Sequence, residues 1–237
     1  MCGRYSITTA PEALRQLFGV EFGLNLQARY NLAPMQAAPV IQIGKDGAGR
    51  VLTMMRWGLV PSWAKDADGG ARIINARSET VREKPSFRAA FQRRRCLVPA
   101  DGFYEWKTKA GVKQPYRITA SDQATFAFAG LWDMWEGVGE GSALQTFSIL
   151  TTEATSSIAH IHHRMPVMLF QPSAWSQWME GTAEEAFALA RPSEPEAVTS
   201  YPVDRRVGNV RNDDASLIEA ITPPEPPSPT PVQGSLF

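Results

Sequence analysis

Apolar positions in this chain recur in short runs, some alternating with polar residues and some continuous, and both patterns read as strands. Residues 3–7 form the first, and 39–43 and 51–57 form a hairpin around Asp46-Gly47-Ala48-Gly49. Further strands are expected over 95–99, 102–106, 114–119, 125–131, 144–151 and 167–170, with Lys109-Ala110-Gly111 as a tight turn. Helical patterning is sparser. Thr9-Ala10-Pro11-Glu12 has the spacing of a capping box and an early proline, which starts a helix over 11–18 that Gly19 stops. Pro172-Ser173 opens a helix carrying Trp175, Trp178 and Met179 on one side, and 183–190 gives another. Residues 29–34 read as an extended loop, 57–63 as a proline-broken loop with two tryptophans, and the stretch beyond as partly helical with an interruption at Pro85. Many strands with few helices between them predict an α+β fold. It is a single domain with a strongly bent, barrel-like mixed β-sheet flanked by short helices.

Composition sharpens this picture. The 237 residues are 43% hydrophobic, enough for a substantial core. The domain is expected over 1–221, and the Pro-rich residues 222–237 read as a disordered tail. Two cysteines exclude a disulfide framework. Cys96 in Cys96-Leu97-Val98-Pro99 reads as a buried strand thiol, so a reducing, cytoplasmic setting is expected. No apolar run reaches membrane-span length, and no signal-peptide pattern opens the chain. Formal net charge is zero, yet its distribution is uneven. Arg72, Arg77, Arg82, Lys84, Arg88, Arg93, Arg94 and Arg95 stand against only Glu79 and Glu83 within 72–95, while acidic residues dominate 180–225. Such a stretch is either a solvated face or a surface for phosphates. Neither standard Gly-rich phosphate loop is present.

The chemistry concentrates first at Cys2. Once Met1 is removed, Cys2 carries an α-amine with a reference pKa of about 7.7–8.0 beside a thiol near about 8.5. The amine can condense with an aldehyde to an imine, and the thiol can then close a thiazolidine ring. The same residue could equally serve as a self-contained nucleophile and base, as in N-terminal-nucleophile hydrolases. Asn75 and Arg77 follow an apolar dipeptide and suit a substrate oxygen and a phosphate, or simply a turn and the surface. Glu105 lies between aromatics, where an apolar setting raises a carboxyl pKa toward general acid–base use. His160, His162 and His163 are the only histidines; without a second ligand cluster they read as a source of one general acid–base group rather than a metal site, and no cofactor is expected.

Seven segments together resemble the SRAP (SOS-response-associated peptidase) family: Met1-Cys2-Gly3-Arg4-Tyr5, Arg29-Tyr30-Asn31-Leu32-Ala33-Pro34, Trp57-Gly58-Leu59-Val60-Pro61-Ser62-Trp63, Ile74-Asn75-Ala76-Arg77-Ser78-Glu79-Thr80, Arg95-Cys96-Leu97-Val98-Pro99-Ala100, Gly102-Phe103-Tyr104-Glu105-Trp106 and Ile161-His162-His163-Arg164-Met165-Pro166. The resemblance implies a protein that binds single-stranded DNA and traps abasic sites as a thiazolidine crosslink. It implies Cys2 as the crosslinking residue, with Asn75, Glu105 and His162 completing the site. It is His162 that matches the family's Ile-His-x-Arg-Met-Pro motif; the x, often Asp, is His163 here. On this reading Arg4, Arg77 and Arg164 contact phosphates. Trp57, Trp63 and Trp106 are candidates for base stacking or for the core. Weak abasic-site lyase activity follows from the imine.

Two other classes stay open at this point: an N-terminal-Cys (auto)peptidase, and a non-covalent single-stranded DNA-binding module. The final Gln233-Gly234-Ser235-Leu236-Phe237 resembles peptides that dock into bacterial sliding clamps. A monomer is expected, associated with the nucleoid when bound to DNA.

Overall fold

A computed structural model of the chain describes residues 2–21, 23–109, 111–137 and 143–222. The proposed tail beyond 222, with its clamp-like segment, lies outside the described residues, as does Ala110 of the expected turn. The elements in chain order are β1 (Tyr5–Ile7), α1 (Pro11–Phe18), β2 (Arg29–Leu32), β3 (Ala37–Ile43), β4 (Arg50–Trp57), β5 (Asn75–Arg77), α2 (Pro85–Arg93), β6 (Arg95–Ala100), β7 (Gly102–Lys109), β8 (Val112–Ala120), β9 (Phe126–Glu136), β10 (Ala143–Glu153), α3 (Ser156–Ala159), β11 (Arg164–Pro166), β12 (Met168–Leu169), α4 (Pro172–Glu180), α5 (Ala183–Ala188) and β13 (Val198–Pro202). No helix among the described residues is long and apolar enough to cross a membrane.

Two sheets build the α+β fold. The first runs β13-β8-β7-β1-β2. In the second, β10-β4-β3-β6-β9 closes on itself because β9 also pairs with β10. The β4–β10 junction is parallel and the others are antiparallel, so the barrel is mixed. β10 is long enough to extend past the closed part. There it carries β5 on one flank and β11 on the other.

Aromatic side chains join the two sheets. Tyr5 of the first meets Trp57 and Phe128 of the second edge-on, with ring centroids 5.2 and 5.7 Å apart. Trp57 then stacks on Phe147 at 6.2 Å and donates from Nε1 to Ile74 O at 2.9 Å. It is fully buried, so this tryptophan belongs to the core and presents no face to a base. Truncating such a residue costs about 3–5 kcal/mol.

Four local expectations are corrected. The Thr9 capping box does not form: Ala10 is the N-cap, without a side-chain bond, and Thr9 Oγ1 pairs with Thr125 Oγ1 at 2.6 Å instead. Residues 29–32 are a strand, because β1 needs a partner on its open edge. Pro85 starts α2 rather than interrupting a helix, since its fixed φ and missing N–H suit a first turn. The strand expected over 167–170 is shortened to β12, Met168–Leu169, which pairs with β9. Both cysteines are free and buried.

Candidate active site at the start of the chain

The register of β1 on β7 places the chain start. Tyr5 pairs with Phe103, and Tyr104 N donates to Arg4 O at 2.9 Å, in antiparallel sense. Continued one step, this register sets Gly3 beside Glu105, so Cys2 reaches the end of the sheet where Glu105 sits. The flanks of β10 supply the rest. β5 pairs Asn75 with Ile149 and Arg77 with Thr151, in parallel. Asn75 and Arg77 face one way, and the buried Ala76 between them faces the core. From the far side of β10, the turn ahead of β11 brings in His162.

The contacts are specific. Asn75 Nδ2 donates to Cys2 O at 2.7 Å and so fixes the backbone of the residue that carries both nucleophiles. Cys2 is fully buried, and its Sγ–H points at Arg4 O, 3.9 Å away. Burial, and then the negative charge of Glu105, push the thiol well above its ordinary value. Glu105 is 4% exposed, and burial raises the pKa of its carboxyl. His162 Nδ1 lies 4.0 Å from Glu105 Oε1, a gap that a substrate oxygen or a water can bridge. Nδ1 sits between the backbone N–H of Arg164, which donates to it at 3.0 Å, and Arg164 O at 3.1 Å, so this backbone fixes the ring in either neutral tautomer. Burial lowers the His162 pKa and favours the neutral form. His163 stacks on His162 at 4.5 Å and is exposed, as is His160.

Cys2, Asn75, Glu105 and His162 therefore converge. The expected DNA contacts are placed less uniformly. Arg77 is exposed beside Asn75. Trp63 is 65% exposed, and Trp106 is half-buried with the Arg4 guanidinium 5.9 Å from its ring centroid. Arg4 Nη1 donates to Asn31 Oδ1 at 2.9 Å and to Val207 O at 2.7 Å, so this group ties the chain start to its later part. Arg164 is 7% exposed. Its guanidinium makes a bidentate pair with Glu79 and donates to Thr151 O at 2.8 Å, so it is held as a strut between β10 and the segment after β5.

Asn31, Glu79 and Asp213 had no assigned role in the sequence. Asn31 Nδ2 donates to the carbonyls of Val207, Asn209 and Asn212, at 3.2, 3.1 and 2.7 Å. The Asp213 carboxylate accepts from Tyr30 N and Asn31 N at 2.6 and 3.0 Å. The only available signal for Asn31 was an amide between apolar strand residues. Its partners lie far downstream and left no trace.

A closed mixed barrel with a side sheet that delivers a second-position cysteine to an amide, a buried carboxyl and a histidine defines a class of proteins built around the start of the chain. The SOS response associated peptidase (SRAP) profile matches residues 1–210, and the chain belongs to this family. It is 37% identical over 226 residues to "Abasic site processing protein YoaM" of Bacillus subtilis (strain 168), which covers 93% of this chain and 98% of that protein. It is also 37% identical over 215 residues to "Abasic site processing protein HMCES" of Gallus gallus, covering 78% of this chain and 63% of that one. A solved protein from Bacteroides thetaiotaomicron superposes with a TM-score of 0.84 at 26% identity, over 93% of this chain and all (100%) of the other.

Proposed function

We propose that the protein traps abasic sites in single-stranded DNA as a thiazolidine crosslink through Cys2, after Met1 has been removed. The observation that carries this reading is the Asn75–Cys2 bond, which holds the backbone of the only two-nucleophile residue beside Glu105 and His162. The names of the relatives support abasic-site processing.

The chemistry follows from these positions. The Cys2 amine adds to C1′ of the ring-opened sugar and gives a carbinolamine. Glu105, which holds its proton more tightly than an ordinary carboxyl, supplies it to the leaving hydroxyl, and water departs to leave an imine. Sγ then bonds to C1′ while the thiol proton passes to the nitrogen, closing the ring. The raised thiol pKa keeps sulfur neutral and makes the amine the first nucleophile. His162, after taking up a proton, passes it to the ring oxygen as the sugar opens, and can assist reversal. Loss of the 3′ phosphate by β-elimination from the imine would cleave the strand, and ring closure competes with it, so lyase activity is weak. Arg77 and the exposed Trp63 are left as contacts for phosphate and base.

The test is incubation of Met1-free protein with an abasic-site oligonucleotide. A denaturation-resistant shifted band, lost in Cys2→Ala and in protein that retains Met1, is expected. Binding without that band would leave a non-covalent DNA-binding module, and cleavage of peptides by the same Cys2 would favour the peptidase reading.

A further inference from the structure

The Arg72–Arg95 charge run is not absorbed by the site above. α2 shows where most of it goes. This helix buries Phe87, Ala90 and Phe91, which forces Arg88, Ala89, Gln92 and Arg93 onto the opposite face, where 88 and 92, and 89 and 93, are neighbours one turn apart. With Arg82 and Arg94 these residues line an open groove of about 590 Å³.

Its arginines are not equivalent. Arg82 is held by a two-bond pair with Glu184 and lies 5.0 Å from the Phe187 ring centroid. Arg94 pairs with Asp133 at 3.2 Å. Those two form ordered walls. Arg88 and Arg93 are exposed and make no ion pair with any described residue, and neither does Glu83. The groove therefore holds surplus positive charge in a chain whose formal net charge is zero. It also begins close to the site: Arg82 follows Arg77 by five residues, so the two backbones are at most about 18 Å apart.

We propose that this groove is a second phosphate-binding track, which takes the backbone of the DNA strand beyond the nucleotides held at Cys2. The inference rests on the single-stranded DNA reading. Guanidinium forks suit phosphate oxygens, and contacts of this kind position a strand without reading its sequence. The groove lengthens the footprint of the protein, and the walls fixed by Glu184 and Asp133 pre-order half of it.

The test compares wild type with the Arg88→Gln/Arg93→Gln double variant. Both substitutions are exposed, and a matching thermal melt verifies the fold. Affinity for unmodified single strands of about 20 and about 6 nucleotides is measured by anisotropy across a salt series. Crosslink yield is measured on an abasic strand of the shorter length. The expected result is weaker binding of the long strand, with a log–log salt slope shallower by about 1.4, or about 0.7 for each phosphate contact removed. Short-strand affinity and crosslinking should be unchanged. An unchanged slope on the long strand overturns the proposal, as would hold if an acidic protein were the occupant. Equal losses on both lengths overturn it too, because the arginines would then belong to the Cys2 site. A wild type that fails to crosslink sinks the functional reading alone; the slopes still decide the groove.

Discussion

Two buried acids flank the first half of β7, and the protein treats them in opposite ways. Asp101, just before the strand, accepts from Ser6 Oγ at 2.6 Å, Thr8 Oγ1 at 2.7 Å, Thr8 N, and Arg117 Nη2 at 2.9 Å. Its charge is matched by hydrogen bonds and by a buried guanidinium, so the carboxylate locks β1 to β7 and β8. Glu105, four positions later, has its histidine 4.0 Å away and a pKa raised by burial. The difference teaches how burial is used: a carboxylate saturated with donors and matched by a guanidinium holds a fold, and one whose pKa burial raises keeps a transferable proton.

This contrast can be broken by mutation. Glu105→Gln should lower the crosslinking rate by about 10²–10⁴-fold, the usual contribution of a general acid–base group, while the melting temperature stays within a degree or two of wild type. Asp101→Asn should do the reverse. Breaking a buried pair costs about 3–5 kcal/mol, which for a chain of this size lowers Tm by about 6–20 °C, with the rate per folded molecule retained. If the rate loss follows Asp101 and the stability loss follows Glu105, the assignment of the two acids is wrong.

Two smaller effects sharpen it. Asn31→Ala should cost about 1.5–3 kcal/mol, because it removes one of the two bonds to the charged Arg4 group and the amide that donates to three carbonyls. It should also slow crosslinking more than it weakens DNA binding, since Arg4 anchors the strand that leads to Cys2. Loss of affinity without loss of rate would return Arg4 to the role of a phosphate contact. The smallest effect is on pH dependence. The Glu105 pKa in the folded state lies above its unfolded value near about 4.3, so between those two values the folded protein binds the extra proton. Stability should fall as pH rises through that window. Chemical denaturation of Glu105→Gln should lose this component of the slope; an unchanged slope would show that Glu105 is not the group held in its acid form.

The strands of the barrel and the four converging residues were legible because both rest on local patterns. β3 and β4 announce themselves by a turn between two apolar runs, and Cys2, Asn75, Glu105 and His162 by motifs in the right order. What sequence could not show was long-range assignment. Trp57 and Trp63 belong to the same loop motif, yet one is sealed in the core and the other stands in solvent. Arg164 lies within a motif beside His162, yet Glu79 and Thr151 claim it. β2 read as a loop because its reason for being a strand is the open edge of β1, which no local pattern records.

The bond between Arg4 and Val207 spans 203 residues, and it sets an order of events during synthesis. At about 5–20 residues per second, about 10–40 s separate the emergence of the first partner from that of the second. Through that interval Arg4 lacks its bond to Val207, and the first two residues are open to the enzymes that trim nascent proteins. Once the last partners arrive, the cysteine is sealed at 0% exposure. Folding therefore acts as a deadline for the chain start: until Val207 takes its place, the strand that leads to Cys2 has yet to gain its last anchor.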